Sequence, residues 1–364
     1  MQRIYNFSAG PAILPEIVLE EASQGVREIA GSGMSVLEVS HRGKQYDAIH
    51  AETRDTLLRI LGLSADEYSL LFIQGGASMQ FAMLPMNLLD EGRVAEYVNA
   101  GEWGTKALKE AKKVGKGSAI EIASSVDKGY SYIPKGYAIS PSSTYLHVTT
   151  NNTIEGTELF DLPETDVPIV ADMSSDFMAL NRDHSKFDFI YAGSQKNAGP
   201  AGVTIVAAKK SLLAKSVTNL PSMLSYKTYV DSDSLYNTPP VFAIYCVGLV
   251  AKWIEGQGGL STVEANNRAK AAVLYNAIDE LSDVFYGTVT APEDRSLMNV
   301  TFRLQAKYEA LEKEFLTGAT TIGLDGLKGH RAVGGFRASI YNAFPKAGVE
   351  ALVSYMREFA ASKG

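Results

Sequence analysis

Lys196 lies in the run Ile190-Tyr191-Ala192-Gly193-Ser194-Gln195-Lys196-Asn197-Ala198-Gly199-Pro200-Ala201-Gly202, between two apolar stretches and with no acidic neighbour in sequence. A lysine desolvated in such surroundings has its pKa pushed down, which frees the amine lone pair for Schiff-base chemistry. A solvated loop lysine is the structural alternative. Upstream, Asp172 follows Pro168-Ile169-Val170-Ala171. A carboxylate at the C-terminal end of a parallel strand faces the ligand crevice of such a sheet, or else it caps the next turn. Gly75-Gly76-Ala77-Ser78 joins an apolar run to a helical stretch. Small residues there let backbone N–H groups approach a phosphate, and the helix dipole favours the anion; a plain tight turn is the alternative.

Together the three features describe a site for pyridoxal phosphate. The glycine turn takes the phosphate, the strand-end Asp the pyridinium nitrogen, and the later Lys the aldehyde. Trp103 adds a flat ring that could stack on the cofactor, since it opens a helix after Val98-Asn99-Ala100-Gly101-Glu102. Two of the five histidines precede arginine, at His41-Arg42 and His330-Arg331, and Arg337 follows the second pair. The planar guanidinium matches carboxylate and phosphate, so these residues suggest a substrate with more than one anionic group. His50, His147 and His184 have no such context and read as structural.

The elements that must position these residues alternate. Helices are expected over Glu16–Ala30 (stripe Val18, Ala22, Val26, Ile29), Tyr46–Leu61 stopped by Gly62, from Met79 onward, and Trp103–Val114 stopped by Gly115. Strands are expected at Tyr68–Ile73, Val94–Val98, Ala119–Ile122, Tyr145–Thr149, Pro168–Ala171, Phe187–Ala192 and Gly202–Ala207. Short apolar strands between helices imply an α/β fold with a mainly parallel sheet covered on both faces. The texture changes near Gly256-Gln257-Gly258-Gly259. Beyond it, helices at Ser261–Leu281, Glu309–Phe315 and Ala347–Ala361 alternate with strands at Met298–Leu304 and Ala332–Tyr341, as in a smaller α+β domain. The expected division is an N-terminal segment 1–14 at the active site, a large domain 15–258 and a small domain 259–364.

Composition sets limits. The chain has 364 residues, 46% of them hydrophobic, enough for a large core. A formal net charge of −7 argues against a general binder of nucleic acid or anionic membranes. No apolar run approaches the length of a membrane span, and no signal-peptide layout opens the chain. Cys246 is the single cysteine, so neither an internal disulfide nor a cysteine-based metal site is expected. A cytoplasmic protein with no metal follows as the expectation.

Several stretches then resemble the phosphoserine aminotransferases, a group of the class-V pyridoxal phosphate-dependent aminotransferases. They are Asn6-Phe7-Ser8-Ala9-Gly10-Pro11-Ala12, Glu38-Val39-Ser40-His41-Arg42-Gly43, Tyr191 through Asn197, Asn237-Thr238-Pro239-Pro240, and Gly329-His330-Arg331 through Arg337 to Asn342. The resemblance covers the chain in order. It implies a fold-type I enzyme with a seven-stranded large-domain sheet, working as a homodimer with shared active sites. The implied reaction is reversible transfer of an amino group between phosphoserine with 2-oxoglutarate and 3-phosphohydroxypyruvate with glutamate. The phosphorylated hydroxythreonine precursor of pyridoxine is a second substrate the family takes.

Carried onto this sequence, the resemblance makes Lys196 the Schiff-base lysine and Asp172 the partner of the ring nitrogen. Trp103 would stack on the ring and Thr153 would donate to its oxygen. Gly76, Ala77 and Gln195 would surround the phosphate, with Asn237 and Thr238 reaching it from the other subunit. Arg337 would hold the α-carboxylate, and His41, Arg42, His330 and Arg331 would gather the distal phosphate from both chains. Ala77-Ser78 stands where other members carry a basic residue, so phosphate anchoring leans on backbone N–H groups and the Ser78 hydroxyl. Ala9 stands where some members have Ser, which removes a side-chain contact. A cysteine desulfurase of the same fold is disfavoured because Cys246 sits in an apolar helical run rather than a mobile exposed one. A dinucleotide dehydrogenase lacks its glycine fingerprint. A non-catalytic anion-binding protein remains the rival from another class.

Overall fold

The computed structural model describes residues 3–29, 31–114 and 116–363. The predicted helix end at Ala30, the predicted stop at Gly115 and the outermost residues of segments 1–14 and 259–364 lie outside them.

A mixed seven-stranded sheet forms the centre. Its strands are β1 (Tyr68–Ile73), β2 (Val94–Asn99), β3 (Ser118–Ser124), β4 (Tyr145–Thr149), β5 (Ile169–Asp172), β6 (Phe189–Gly193) and β7 (Thr204–Lys209). The spatial order is β1-β7-β6-β5-β4-β2-β3. Only β7 runs antiparallel to its neighbours β1 and β6, and β6-β5-β4-β2-β3 are parallel. Because β7 opposes both neighbours, β1 points the same way as the other five. Six strand ends therefore open on one edge, where α/β sheets hold ligands. Strands buried on both faces read as unbroken apolar runs, which is why β4, β5 and β6 are buried throughout.

Helices α1 (Glu16–Arg27), α2 (Lys44–Leu61), α3 (Gly76–Leu88), α4 (Glu102–Val114) and α5 (Val241–Gly256) accompany this sheet. α2 ends at Gly62, whose φ of 64° is the left-handed conformation that closes a helix. The predicted stripe of α1 needs correction at Val26, which is exposed, whereas Gly25 is buried. A Cβ at Gly25 would stand 2.7 Å from the Tyr245 ring of α5. Close approach of the two helices at that glycine turns the buried stripe by one residue. α3 starts at Gly76 rather than Met79, because Gly75 in the left-handed region (φ 101°) starts the helix directly from the strand.

After α5, the glycine cluster is a corner leading into α6 (Gly259–Glu280), with Gly258 left-handed at its cap. Strands β8 (Phe285–Gly287), β9 (Asn299–Leu304) and β10 (Phe336–Ser339) make an antiparallel sheet in the order β8-β9-β10. The strand expected from Ala332 starts only at Phe336, because residues 331–334 form a turn closed by His330. The helix expected at Glu309 is displaced to Glu312–Thr321. With α6 and the final helix α7 (Lys346–Ala361), this sheet encloses a second core rich in Phe302, Phe315, Phe336 and Phe359. Phe7 from the N-terminal segment belongs to that core, and Tyr5–Asn6 pairs in parallel with Leu324–Asp325. No helix among the described residues is long and apolar enough to cross a membrane.

Candidate active site

The shared edge of the large sheet gathers the sequence-predicted residues from separate strand ends. Asp172 is the last residue of β5, in register between Thr149 of β4 and Tyr191 of β6. It is buried, and its Oδ1 accepts the Ser174 N–H at 2.9 Å. Burial raises its pKa, while the Lys196 charge and the Ser174 bonds pull it down. Lys196 follows β6 by three residues, and its Nζ donates to Thr153 Oγ1 at 2.6 Å. Burial lowers the Lys196 ammonium to about 8, with Asp172 opposing and Arg337 reinforcing the shift. Lys196 is half-buried and held by Thr153, which sets it apart from a solvated loop lysine.

Trp103 sits in the first turn of α4, its ring centroid 5.7 Å from Lys196 Nζ. On the same ring Lys106 Nζ lies 4.4 Å from the centroid, a cation over an aromatic face. Arg337 on β10 crosses from the smaller sheet, and its Nη1 donates to the Thr153 carbonyl at 3.2 Å. Thr153 thus bridges the lysine and the arginine. Burial lowers the Arg337 pKa. Its Nε, like the indole Nε1 of Trp103, is buried without an acceptor. Two buried donors in want of acceptors, on either side of an amine, mark a place built for an acceptor-rich ligand.

The glycine turn lies at the C-terminal end of β1. No side chain caps α3, so the first N–H groups of a thirteen-residue helix are free for an anion. At Gly76 the side a Cβ would occupy is open to 4 Å, and its φ of 68° suits glycine. Ala77 is half-buried and Ser78 exposed on this first turn. Gln195 is half-buried, and its carbonyl accepts the Ala12 N–H at 2.9 Å. Through that bond the N-terminal segment is laid beside Lys196: a Cβ at Gly10 would be 3.5 Å from Lys196 Cγ. The Ala9 carbonyl accepts from Tyr341 OH at 2.7 Å, so position 9 is tied through its backbone.

The second anion-binding group divides. His330 is half-buried and Arg331 exposed in the turn before β10. Burial and the nearby charges of Arg337, Lys106 and Arg331 lower the His330 pKa, so His330 lies within reach of the Arg337 and Lys106 charges. His41 and Arg42 lie in the turn before α2, where the Arg42 N–H donates to Ser40 Oγ at 3.3 Å. Among the described residues no hydrogen bond or ion pair within the chain joins them to Lys196 or Arg337. Thr238 is exposed and Asn237 half-buried. The Thr238 carbonyl accepts from Gln74 Nε2 at 3.2 Å, beside the glycine turn of its own chain.

The three remaining histidines are buried. His147 Nε2 is 2.8 Å from Tyr191 OH, and burial pushes its pKa down to about 3. His184 is lowered to about 4, again by burial, and His50 lies 3.6 Å from Asp233. Cys246 is buried in α5, where burial pushes the thiol up to about 11. That leaves it a poor nucleophile. Among the described residues no group of three or more His, Cys, Asp or Glu is placed to hold a metal ion.

Several buried acids have no place in the sequence reading, and Glu155 is the one that bonds the helix of Trp103. Glu155, in Thr153-Ile154-Glu155-Gly156, accepts the Glu102 N–H at 2.8 Å and faces Arg337 and Lys196. Neither periodicity nor motif spacing marks it; its proximity to Thr153 was the available signal.

A family model described as Aminotransferase class-V matches residues 4–352. The chain is 54% identical to a phosphoserine aminotransferase from Desulfosudis oleivorans, over 100% of this chain and 99% of that one. The solved phosphoserine aminotransferase of Bacillus circulans subsp. alkalophilus is 49% identical and superposes with a TM-score of 0.96 over 100% of both chains. A PLP-bound phosphoserine aminotransferase from Trichomonas vaginalis is 36% identical with a TM-score of 0.92, covering 98% of this chain and 100% of that one.

Proposed function

We propose that this chain, which belongs to the class-V aminotransferase family, is a phosphoserine aminotransferase that uses pyridoxal 5'-phosphate. It transfers an amino group between O-phospho-L-serine and 2-oxoglutarate, reversibly, giving 3-phosphohydroxypyruvate and glutamate. The observation that carries this reading is the enclosed Lys196 amine, lowered to about 8, sharing one sheet edge with the buried Asp172 carboxylate and the Trp103 ring.

The residues fit the cofactor. The uncapped, open glycine turn suits a phosphate. The orphaned Trp103 Nε1 and Arg337 Nε are donors for acceptor-rich ligands, and Asp172 is a buried carboxylate at the same sheet edge, of the charge that suits a cationic ring nitrogen. When bound, pyridoxal phosphate supplies an aldehyde that takes up an amino group and a ring that withdraws electrons from the carbon bearing it. Asp172 holds a proton on the ring nitrogen. Lys196 anchors the cofactor and, with its amine partly neutral near pH 7, moves a proton on and off the substrate α-carbon. Trp103 covers one ring face and excludes water. Gly76, Ala77, Ser78 and Gln195 would hold the phosphate, while Thr153, bonded to Lys196, would donate to the ring oxygen.

Arg337 holds the α-carboxylate shared by phosphoserine and glutamate. His330 and Arg331 bind the distal anion together with His41 and Arg42 of a second copy. The exposed Arg42 and Thr238 lie beside exposed Leu37 (63%) and Tyr236 (51%). Such apolar side chains next to unassigned anion-binding residues favour a homodimer with shared sites. Asn237 and Thr238 would then complete the phosphate site across that interface. The same pocket admits 4-phosphohydroxy-L-threonine, which has the same two anionic ends. Charged, phosphorylated substrates that membranes retain place the enzyme in the cytoplasm.

The test offers phosphoserine, serine and glutamate separately to the cofactor-loaded protein and follows its absorbance. Phosphoserine and glutamate should react and serine should not. Borohydride treatment followed by peptide mass spectrometry should find the cofactor on Lys196. A colourless protein that pyridoxal phosphate cannot restore would favour a non-catalytic anion binder.

A further inference from the structure

We propose that Glu155 is a positioning residue that carries a proton on its outer oxygen and, in that form, pins the first turn of α4, with Trp103, against the loop that holds Thr153. The proposal rests on the reading above, because it concerns the face that Trp103 turns toward the cofactor.

Glu155 is 6% exposed. Its Oε1 accepts the N–H of Glu102, the first residue of α4, at 2.8 Å. This is a helix-terminal donor satisfied by a residue distant in sequence rather than by a local cap. Oε2 is buried without a partner, and so is Oδ1 of Asn152. Both oxygens press on Gly101: a Cβ there would stand 2.6 Å from Glu155 Oε2 and 2.8 Å from Asn152 Oδ1. The Asn152 amide nitrogen donates to Thr157 Oγ1 at 3.1 Å, with its oxygen toward Gly101.

Two orphan acceptors at one buried spot lack a hydrogen. A carboxylic acid supplies it, donating from one oxygen while still accepting at the other. An ionised Glu155 would leave both oxygens uncompensated where the dielectric is low. Three charged groups face it: Glu102 disfavours ionisation, while Arg337 and Lys196 favour it. Burial outweighs them and pushes the carboxyl up to about 7. The same residue reaches the smaller sheet, for Thr301 Oγ1 donates to the Glu155 carbonyl at 2.8 Å. Thr301 stands in register with Arg337. Glu155 therefore joins the helix of Trp103, the loop of Thr153 and the strand pair of Arg337.

The test uses the cofactor-loaded enzyme in a Trp253→Phe background, which leaves Trp103 as the single indole. Glu155→Gln keeps an acceptor for Glu102 and offers an amide hydrogen to Asn152. Its emission maximum should match the parent at low pH and lose the change the parent shows as pH passes about 7. Glu155→Leu removes both bonds. Its Trp103 emission should shift to the red, and kcat/KM for phosphoserine should fall by about tenfold, the loss of one buried hydrogen bond. If that variant fails to fold, Gly101→Ala drives a methyl against the same two oxygens and should produce the same red shift. Unchanged emission in Glu155→Leu or in Gly101→Ala overturns the positioning role, and Glu155→Gln behaving like Glu155→Leu overturns the protonated form. A parent enzyme inert toward phosphoserine would instead sink the functional reading, and the emission series would still be readable.

Discussion

Lys270 is an amine buried without a carboxylate partner among the described residues, its pKa pushed down by burial to about 7, and replacing it with methionine tests what holds the turn after β10. Its Nζ donates to the carbonyls of Tyr341 at 2.7 Å, Ile340 at 3.1 Å, Phe344 at 3.2 Å and Asn342 at 3.4 Å. Lys270 is 4% exposed, so Lys270→Met loses those bonds with little access for water. A buried acceptor left without its donor costs about 1–3 kcal/mol. Against this, removing a buried ammonium recovers a desolvation penalty of several kcal/mol. With three oxygens within ordinary bonding distance, the losses win by about 2 kcal/mol, roughly a factor of thirty in the ratio of folded to unfolded protein. The assay is urea unfolding followed by circular dichroism, where the midpoint should fall with little change in slope. Lys270→Arg, which keeps the charge, should lose less. A Lys270→Met protein as stable as the parent would show that desolvation dominates and that the carbonyl cage contributes no net stability.

Arg42→Ala leaves a substrate anion under-paired and should cost about 3 kcal/mol, or roughly a hundredfold in kcat/KM for phosphoserine; unchanged steady-state kinetics would remove Arg42 from the site. Thr153→Val keeps the shape but deletes the partner of Lys196 Nζ at 2.6 Å, and kcat should drop about tenfold while KM moves little. An equal loss in KM alone would assign Thr153 to substrate binding instead. In cofactor-free protein, trace acetylation read by mass spectrometry should show Lys196 titrating near 8. Because its folded pKa lies below the unfolded one, burial of the charged amine costs stability below about 8, and that cost is relieved as pH rises toward the ordinary lysine range. A Lys196 amine that titrates with the bulk of the lysines contradicts its enclosure.

Much of the sheet is legible because parallel strands buried on both faces leave unbroken apolar runs. Tyr68–Ile73 and Tyr145–Thr149 coincide with β1 and β4 to the residue. Lys196 and Asp172 are legible for the same reason, since strand ends in such sheets point at ligands. Edges defined by glycine dihedrals are harder. Gly76 opens α3 in a left-handed conformation no propensity favours, and Gly25 replaces Val26 in the buried stripe because a distant helix approaches there. Glu155 was illegible because its meaning lies in Gly101, Glu102 and Asn152, contacts that only the closed fold creates.

The pairing of Tyr5–Asn6 with Leu324–Asp325, and the seating of Ala12 on Gln195, set an order of events during synthesis. Tyr5–Asn6 cannot reach its resting place until Leu324–Asp325, more than three hundred residues later, has been made. A nascent chain halted before Leu324 would have the strands of the large sheet in hand but no lasting seat for its own beginning.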